Sequence, residues 1–474
     1  MTDIYDINDF AFKRCDVLGI GVSNIPLIRM LVSARAIVTA RDKKTDIGEI
    51  KDELLALGVR LVLGEDYLKD IDADFVFRSP GIRPDVPEIS EAVANGAVLT
   101  SEMALFCDFT KANIIAITGS DGKTTTTTLT HKFIDAELKR RGVGRAYVGG
   151  NIGTPLLSEY ANMTEDDYAV LELSSFQLMD MCPHPVRAAI TNVTPNHLNW
   201  HPDMEEYTRA KTNIFDDKTH LVLNADNAAT LKIASESGNK VTMFSSTKSG
   251  FFEVSCGIEN CERAIYLSDG YITVSDGKNE EKLFLSSDIL IPGKHIVENY
   301  MTAIGLTYGI VSQKIYHDVA VSFGGVEHRL ELVRILDGVK YYNSSIDSSP
   351  TRTAAALSAV EGGKVVICGG YDKGFDFAPL ADVLCKRARC VVLTGATADK
   401  IMKAIEEYPN YADSGLRVVR ASDFAGAVDI ARDLAVSGES VILSPACASF
   451  DAFKNFEERG RVFKALVLAL DKKN

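Results

Sequence analysis

The chain has 474 residues, of which 46% are hydrophobic and 24% are charged, and its formal net charge is -14. This composition is ordinary for a globular protein, and the length favours about three domains. The negative charge argues against a general nucleic-acid or anionic-membrane surface, although a local basic pocket for a phosphorylated ligand remains allowed. We therefore expect small-molecule partners, with no nucleic acid and no membrane.

Cysteine spacing and the first residues indicate the compartment. The nine cysteines form no CxxC pair, which favours reduced, mostly buried thiols over a disulfide framework. The N-terminal stretch MTDIYDINDF is acidic and lacks the apolar core of a signal peptide, and no apolar run reaches membrane-spanning length. The sequence predicts a cytoplasmic protein.

The first predicted strand and helix lie in CDVLGIGVSNIPLIRMLVSA, residues 15–34. Gly19 and Gly21 stand at the turn between them, but Asn24 occupies the place of the third glycine of a dinucleotide-binding fingerprint. An ordinary βα turn therefore remains an alternative to a nucleotide-binding fold. The next strand, AIVTARD, ends in Asp42, at a position where an acidic side chain often meets a ribose.

The segment DFVFRSPGIRPDVPEI, residues 74–89, contains too many prolines for the interior of an element. We expect a loop that leaves a strand. Its Ser79-Pro80-Gly81 turn could present the backbone N–H groups of Ser79 and Gly81 to a phosphate, since proline has none, but loops of this composition are more often simple turns. These residues alone do not decide between the two.

The strongest motif is IIAITGSDGKTTTTT, residues 114–128, in which an apolar strand runs into a glycine-containing loop and then a helix. The loop is shorter than the full P-loop pattern, because Ile117 stands where the first glycine belongs. The order strand, Gly-x-x-Gly-Lys-Thr, helix nevertheless predicts a phosphate site. We expect Lys123 to reach the terminal phosphates and Thr124 to offer its hydroxyl to Mg²⁺.

Three more polar residues follow in the same region. Glu172 ends the apolar strand of DDYAVLELSSFQL, where a carboxylate would complete an oxygen shell around Mg²⁺, although a solvated strand-end glutamate is the alternative. His197 follows a strand and lies in a loop, and Lys211 lies inside a helix that begins near Met204. The residues alone leave the roles of this histidine and lysine open.

The last 150 residues alternate between predicted strands, turns and helices. The succession GKVVICGGYDKGFDFAPL, CVVLTGATADKI, LRVVRASDFAGAVDIA and SVILSPACASFDAFKNFEERG implies a parallel, doubly wound sheet. Before it, Gly324 and Gly325 follow a predicted helix between His295 and Lys314. This glycine pair is a candidate hinge or linker.

Together these stretches resemble the Mur ligases, ATP-dependent amide-forming enzymes of peptidoglycan precursor synthesis, and most closely the members that add D-glutamate. The resemblance covers nearly the whole chain and rests on GIGVS, SPGI, ITGSDGKTT, GGNIGTP, LELSSFQL, TNVTPNHLNWH with TRAK, EHRLE, GGYDKGFDF and SPACASFDAFKNFEERG. The last two stretches are the most specific, because they distinguish the D-glutamate-adding members from relatives that add other amino acids.

The resemblance implies an α/β protein of three domains. It implies a Rossmann-like domain for a UDP-linked substrate at residues 1–106, a central P-loop ATPase domain at residues 107–325 and a Rossmann-like domain for the amino acid at residues 326–474. It also implies that a monomer uses ATP to join D-glutamate to UDP-N-acetylmuramoyl-L-alanine through an acyl phosphate. Two alternatives are a folylpolyglutamate synthetase and a regulatory nucleotide-binding protein that has lost ligation.

The resemblance assigns roles to single positions. ATP is expected at Gly119, Ser120, Asp121, Gly122, Lys123, Thr124, Thr125, Asn151, Asn299 and Arg329. The UDP-linked substrate is expected at Asp42, Ser79, Pro80 and Gly81, and D-glutamate at Lys373, Ser449 and Phe456. The implied catalytic residues are Lys123, Glu172, His197 and Lys211, and the implied ligands of two Mg²⁺ ions are Thr124, Glu172, His197 and a carbamylated Lys211.

The sequence departs from the family pattern at two positions. Ser344 stands where the family usually has an aspartate, and Ile296 stands where it tends to have an asparagine. Both lost groups would contact nucleotide. Either a weaker ATP affinity or substitution by the nearby Asp347 fits these departures.

Overall fold

The computed structural model describes residues 6–291 and 293–472. These residues form two compact units. The first unit ends at Ser322 and the second begins at Phe323. Within the described residues, the first unit contains two sheets and the second contains one, and helices accompany all three. This confirms the predicted α/β class, with three separate sheets.

The first sheet has five parallel strands. They are β1 (Arg14–Leu18), β2 (Ile37–Asp42), β3 (Arg60–Leu63), β4 (Phe75–Arg78) and β5 (Val98–Thr100), with a 3-10 turn Ile7–Phe10 and helices α1 (Asn24–Ser33), α2 (Ile50–Ala56) and α3 (Pro87–Ala94). The spatial order is β3-β2-β1-β4-β5, so the strand order reverses between β1 and β4. Ligands of open α/β sheets bind outside the carboxyl ends of the strands at such a reversal.

The loop expected over residues 74–89 is shorter than the sequence predicted. Strand β4 forms its beginning, and helix α3 starts at Pro87. Proline is tolerated in the first helical turn, because its missing N–H would have no intrahelical partner there. The loop proper is therefore residues 79–86, directly after β4.

The second sheet, also in the first unit, has nine strands. They are β6 (Asn113–Thr118), β7 (Ala146–Gly150), β8 (Tyr168–Glu172), β9 (Arg187–Ile190), β10 (His220–Asn224), β11 (Val241–Phe244), β12 (Cys261–Ser268), β13 (Tyr271–Ser275) and β14 (Glu280–Leu285). The accompanying helices are α4 (Glu102–Phe109), α5 (Lys123–Arg141), α6 (Met204–Thr212), α7 (Ala228–Glu236), α8 (Phe251–Ser255), α9 (Lys294–Thr307) and α10 (Gln313–Ala320), with 3-10 turns Leu157–Asn162 and Ser286–Asp288.

The strand order in this sheet is β14-β13-β12-β11-β10-β9-β6-β8-β7. Strands β12, β13 and β14 pair antiparallel, and the remaining pairs are parallel. Strand β6 lies between β8 and β9, and its residues 114–117 are buried on both faces. The loops after β6, β8 and β9 therefore leave the same edge of the sheet side by side.

The second unit contains one six-stranded sheet. Its strands are β15 (Glu331–Leu336), β16 (Val339–Asn343), β17 (Lys364–Cys368), β18 (Cys390–Leu393), β19 (Arg417–Arg420) and β20 (Ser440–Leu443), and its helices are α11 (Pro350–Ala359), α12 (Ala378–Arg387), α13 (Ala398–Glu406), α14 (Tyr411–Ser414), α15 (Phe424–Leu434) and α16 (Phe456–Ala469). The order is β15-β16-β20-β17-β18-β19, and only β15 is antiparallel to its neighbour. The predicted parallel, doubly wound sheet is confirmed, with an antiparallel edge strand added.

All nine cysteines are free thiols, and six of them are buried. Among residues 6–291 and 293–472, no helix combines the length and apolarity needed to cross a membrane.

Candidate active site

The loop between β6 and α5 needs glycine at two positions. Gly119 has a φ of 149° and Gly122 a φ of 81°, both in the region that favours glycine. A Cβ on Gly119 would overlap the hydroxyl of Thr191, and a Cβ on Gly122 would overlap the side-chain oxygen of Asn299. The loop is thus packed between the segment after β9 and helix α9.

The segment after β9 forms hydrogen bonds with the backbone of Ser120 and Asp121 in this loop. The Ser120 N–H donates to the Asn192 carbonyl oxygen at 2.9 Å, and the Asp121 N–H donates to Asn192 Oδ1 at 3.0 Å. The Thr191 hydroxyl donates to the Asp121 carbonyl oxygen at 2.6 Å. The N-terminus of α5 is therefore the part of the motif that faces an anion.

Lys123 folds back over the loop that precedes it. Its ammonium group lies 2.9 Å from the carbonyl oxygens of both Gly119 and Ser120. These bonds hold a positive charge at the N-terminus of α5, beside the positive end of the helix dipole. The position suits the phosphate-binding role predicted for this lysine.

Lys211 reaches the same loop from α6. It is 1% exposed, its ammonium group donates to the Gly119 carbonyl oxygen at 2.8 Å, and it lies 4.4 Å from the ring centre of Tyr207. Burial, assisted by the positive charge of Lys123, lowers the pKa of Lys211 to about 7. A substantial share of this side chain is therefore a neutral amine near neutral pH.

Glu172, at the end of β8, has one unsatisfied oxygen. Its Oε1 accepts a hydrogen bond from Asn151 Nδ2 at 2.9 Å, whereas its Oε2 is buried and has no hydrogen-bond partner among the described residues. A buried carboxylate oxygen without a partner is costly. A divalent cation would satisfy it, so the residue fits the predicted Mg²⁺ ligand.

His197 lies in the exposed loop after β9 with a φ of 56°. Partial burial lowers the pKa of His197, and the charges of Lys123 and Lys211 lower it further. The neutral imidazole is the form that binds metal. The side chain therefore lies within the electrostatic reach of both lysines, as a shared site requires.

The predicted ligands Thr124 and Glu172 suit Mg²⁺, whereas Lys211 suits it only in a modified form. The hydroxyl of Thr124, at the second position of α5, and the carboxylate of Glu172 are oxygen donors of the type that Mg²⁺ prefers. An ammonium group on Lys211 would repel the ion. Lys211 fits the set only if its nitrogen carries an anionic group such as a carbamate.

Asn299, on α9, packs against the phosphate loop. It is buried, its Oδ1 accepts from the Thr126 hydroxyl at 3.3 Å, and it packs against Gly122. Ile296, one turn earlier on the same helix, is also buried and has no polar group to offer. The structure thus brings Asn299 to the predicted site, and its contact with ATP remains a prediction.

The predicted UDP-binding residues converge at the strand reversal of the first sheet. Asn24 Nδ2 donates to the Gly19 carbonyl oxygen at 2.8 Å and to Ser79 Oγ at 3.0 Å, which joins the loops after β1 and β4. The carboxylate of Asp42 accepts from the backbone N–H of Ile20 at 2.7 Å. Asn24, which breaks the glycine fingerprint, therefore has a local structural role.

The second unit brings the predicted D-glutamate residues onto adjacent loops. The Tyr371 N–H donates to the Ala448 carbonyl oxygen at 2.9 Å, which pairs the loop after β17 with the loop after β20. Lys373 follows on the first loop, and its ammonium group lies 5.6 Å from the ring centre of Phe450. Ser449 is buried on the second loop.

Phe456 and Arg329 complete the predicted residues of this unit. Phe456 is the first residue of α16, and its carbonyl oxygen accepts from the Ser345 hydroxyl at 2.8 Å. Arg329 is exposed on the turn before β15. The contacts of Phe456 and Arg329 with substrates remain predictions.

Arg459 is a buried residue of the second unit for which no role was predicted from the sequence. Its guanidinium donates to the carbonyl oxygens of Cys447 and Ala448 at 3.1 Å each, and to the carbonyl oxygen and hydroxyl of Ser345 at 2.8 and 3.0 Å. Burial lowers the pKa of Arg459 to about 10. Its place in the motif FEERG was the available signal, and its contacts show that it fixes the segment before Ser449.

Position 344, where the family usually has an aspartate, has a carboxylate close by in this structure. Ser344 is buried, and its hydroxyl accepts from the Leu330 N–H at 3.1 Å. Asp347, three residues on, is also buried and accepts from the Ser444 hydroxyl at 2.8 Å. Burial raises the pKa of Asp347, while hydrogen bonds from Ser344 and Ser444 oppose the rise. This carboxylate therefore lies beside Ser344.

Comparisons with known proteins agree with this geometry. The Mur ligase middle domain matches residues 117–307, and the Mur ligase glutamate ligase domain matches residues 328–447. The UDP-N-acetylmuramoylalanine–D-glutamate ligase of Ruminiclostridium cellulolyticum is 44% identical over 467 residues, which cover 97% of each chain. The enzyme of the same name from Clostridium kluyveri is 45% identical over 461 residues, which cover 96% of each chain.

A solved structure supports the fold. The UDP-N-acetylmuramate-alanine ligase MurC of Thermotoga maritima matches 96% of this chain and 99% of its own, with a TM-score of 0.51 and 19% identity. From the sequence matches over nearly the full length and the two domain matches, the chain belongs to the Mur ligase family.

Proposed function

We propose that this chain uses ATP to join D-glutamate to UDP-N-acetylmuramoyl-L-alanine in peptidoglycan precursor synthesis, through an acyl phosphate. One observation carries the proposal: Lys123 and Lys211 both donate to the Gly119 carbonyl oxygen of a phosphate loop. In addition, the nearly full-length relatives carry the name of this activity.

The chemistry requires activation of a carboxylate. Direct attack by an amine would have to expel an oxide equivalent from an anion. Transfer of the ATP γ-phosphoryl group to the carboxylate of the L-alanyl substrate gives an acyl phosphate, and inorganic phosphate is then the leaving group. The amine of D-glutamate attacks the acyl carbon and forms the amide.

Two negative reactants must approach each other, so the site acts chiefly by positioning and charge neutralisation. Lys123 and the N-terminus of α5 bind the phosphates of ATP, and Asn151, Asn299 and Arg329 are the proposed further nucleotide contacts. In the second unit, Lys373 would pair with a carboxylate of D-glutamate. Ser449 and Phe456 complete that proposed pocket.

Thr124, Glu172, His197 and carbamylated Lys211 are the proposed ligands of two Mg²⁺ ions. When bound, Mg²⁺ supplies positive charge to the phosphoryl oxygens. The neutral amine of Lys211 can attack CO₂ and lose a proton, which leaves an anionic carbamate. Its low pKa and its burial beside Lys123 support this modification.

The UDP part of the substrate is proposed to bind between the loops after β1 and β4, at Asp42, Ser79, Pro80 and Gly81. We retain the predicted domain boundaries, 1–106, 107–325 and 326–474, as proposals. The monomeric state and the cytoplasmic location stay predictions.

Phosphate release from ATP tests the function. The purified chain receives UDP-N-acetylmuramoyl-L-alanine with D-glutamate, with L-glutamate or without an amino acid, and a folate acceptor with L-glutamate serves as the comparison. We expect release only with the first pair. Release with the folate pair would favour a folylpolyglutamate synthetase, and ATP binding without release in any mixture would favour the regulatory alternative.

A further inference from the structure

A buried histidine, His201, links three of the four segments that carry proposed metal ligands: the segment after β8, the loop of His197 and helix α6. His201 Nδ1 lies 2.9 Å from Glu206 Oε1, and its Nε2 lies 2.9 Å from Ser175 Oγ. Its side chain has no exposed surface. Ser175 follows Glu172 by three residues, and Glu206 lies on α6 ahead of Lys211. His201 therefore links the segment after β8 to the helix that carries Lys211.

The same histidine belongs to the loop of His197. The backbone N–H groups of Trp200 and His201 both donate to the His197 carbonyl oxygen, at 3.0 and 2.9 Å. The ring of Phe176 lies 5.0 Å from the ring of His197 and is stacked on that of His201 at 5.7 Å. A shift of His201 would therefore move the backbone that carries His197.

Arg83 connects this cluster to the first sheet. Its guanidinium donates to Glu206 Oε1 and Oε2 at 3.0 Å each and to the Trp200 carbonyl oxygen at 2.8 Å. It also lies 4.8 Å from the ring centre of Trp200. A two-pronged bond between arginine and carboxylate fixes direction as well as distance. Arg83 is two residues beyond Gly81, the end of the proposed UDP-binding loop.

Arg78 anchors the other end of that loop. It is 1% exposed, and its guanidinium donates to both carboxylate oxygens of Asp180, at 2.5 and 2.8 Å, and to the Phe176 carbonyl oxygen at 3.0 Å. It also donates to the Ile82 carbonyl oxygen at 2.6 Å. The loop is therefore tied at both ends to the segments around His201.

We propose that Arg83 is a positioning residue that couples occupancy of the Ser79–Gly81 loop by a nucleoside diphosphate to the placement of His197 and Lys211. The coupling runs from Arg83 to the Glu206 carboxylate and the Trp200 backbone, and from there to His201. It rests on the proposed function, which supplies the roles of His197 and Lys211. Substrate bound at the loop after β4 of the first sheet would thereby hold His197 and Lys211, beside the second sheet, in the positions needed to bind metal.

Trp200 makes the coupling measurable, because it is the single tryptophan of the chain and contacts Arg83 directly. UDP is the probe, and its affinity is measured by calorimetry alongside tryptophan emission. In the wild type we expect UDP to change the emission and to tighten Mn²⁺ binding in the presence of ADP. Mn²⁺ binding is followed by its electron paramagnetic resonance signal.

Arg83→Met removes the positive charge and both hydrogen bonds to the Glu206 carboxylate, while it keeps an unbranched side chain. We expect it to abolish the emission response and to weaken Mn²⁺ binding in the presence of UDP and ADP by about tenfold, the scale expected when a group that orients a metal ligand is lost. Because coupling between two ligands is reciprocal, UDP affinity should stay within about twofold only when it is measured without Mn²⁺. Arg29→Met is the matched control, because Arg29 forms an exposed pair with Glu53 in the same unit. The control should retain both responses.

Three results would overturn the proposal. They are an unchanged UDP response in folded Arg83→Met, the absence of any response in a wild type that binds UDP, and a wild type that does not bind UDP. If Arg83→Met fails to fold, Arg83→Lys decides: loss of at least half of the response supports the coupling and an intact response overturns it. An Arg83-dependent response in a wild type without D-glutamate-dependent phosphate release supports the coupling and contradicts the ligase function alone.

Discussion

The ammonium group of Lys211 lies 2.8 Å from the carbonyl oxygen of Gly119, a residue 92 positions earlier in the chain. The same carbonyl oxygen accepts from Lys123 at 2.9 Å. Two lysine side chains thus converge on one backbone oxygen just before α5. Their mutual repulsion, together with burial, favours a site that either binds anions or converts one amine into an anionic group.

Replacing Lys211 by alanine tests its modified form. We expect Lys211→Ala to lower D-glutamate-dependent phosphate release by at least about a hundredfold, because a proposed metal ligand is lost. A short-chain carboxylate such as acetate or propionate should restore part of the activity by filling the space with an anionic oxygen. Steady-state rates with and without carboxylate provide the measurement. The exposed Lys218, on the loop after α6, provides a control through Lys218→Ala.

The pKa of Lys211 predicts a dependence on CO₂. Carbamate formation needs the neutral amine, and the pKa of this lysine is lowered to about 7. In CO₂-depleted buffer the activity should be low, and added bicarbonate should restore it more fully above about pH 7 than below. Equal activity with and without CO₂ at every pH would contradict a carbamate at this position.

The same pKa has a consequence for stability. The pKa of an unfolded lysine is about 10.4, so between about pH 7 and pH 10 the unfolded chain holds a proton that folded Lys211 has released. The free energy of unfolding of the wild type, relative to Lys211→Met, should therefore rise with pH across this window in CO₂-free buffer. Urea denaturation at several pH values measures it. A flat difference would show that the amine stays protonated when folded.

Glu172 Oε2, which has no hydrogen-bond partner among residues 6–291 and 293–472, predicts that metal binding can be lost without loss of folding. Glu172→Gln keeps an oxygen for the hydrogen bond from Asn151 but removes the charge. We expect Mn²⁺ binding to weaken by at least about tenfold and Tm to remain equal or to rise, because a buried charge is lost. A lowered Tm with normal metal binding would contradict the proposed role.

Arg459 is expected to control the amino-acid site through backbone placement. Arg459→Lys loses most of the four bonds that hold residues 345, 447 and 448, so the KM for D-glutamate should rise by about tenfold while the KM for ATP changes little. Arg461→Lys, two residues away and exposed, is the control. Equal effects of the two exchanges would contradict the assignment.

The sequence predicted the parallel architecture because its strongest signals are local. The apolar run at residues 114–117 and the glycines at 119 and 122 sit on adjacent strand, loop and helix, where spacing determines geometry. Helix α6 also begins at Met204 as expected, since Asp203 caps it by accepting from the Glu206 N–H at 2.8 Å.

Contacts between distant segments could not be predicted in this way. Arg83 and Glu206 are 123 residues apart, and neither belongs to a motif with a known spacing. The antiparallel strands β13 and β14 were also missed, although the dipeptide Asp269-Gly270 between β12 and β13 is a hairpin signal. Burial also could not be read from the sequence: only the structure shows that one oxygen of Glu172 has no hydrogen-bond partner in the described part of the chain.

The most direct test of the central claim follows one oxygen atom. UDP-N-acetylmuramoyl-L-alanine labelled with ¹⁸O in its carboxylate is incubated with ATP, Mg²⁺, D-glutamate and the purified chain, and the product and the released phosphate are analysed by mass spectrometry. We predict an amide product with D-glutamate and one ¹⁸O atom in each phosphate released, because the activated carboxylate oxygen leaves with phosphorus. Unlabelled phosphate, or phosphate released without the amide product, would contradict an acyl-phosphate ligase.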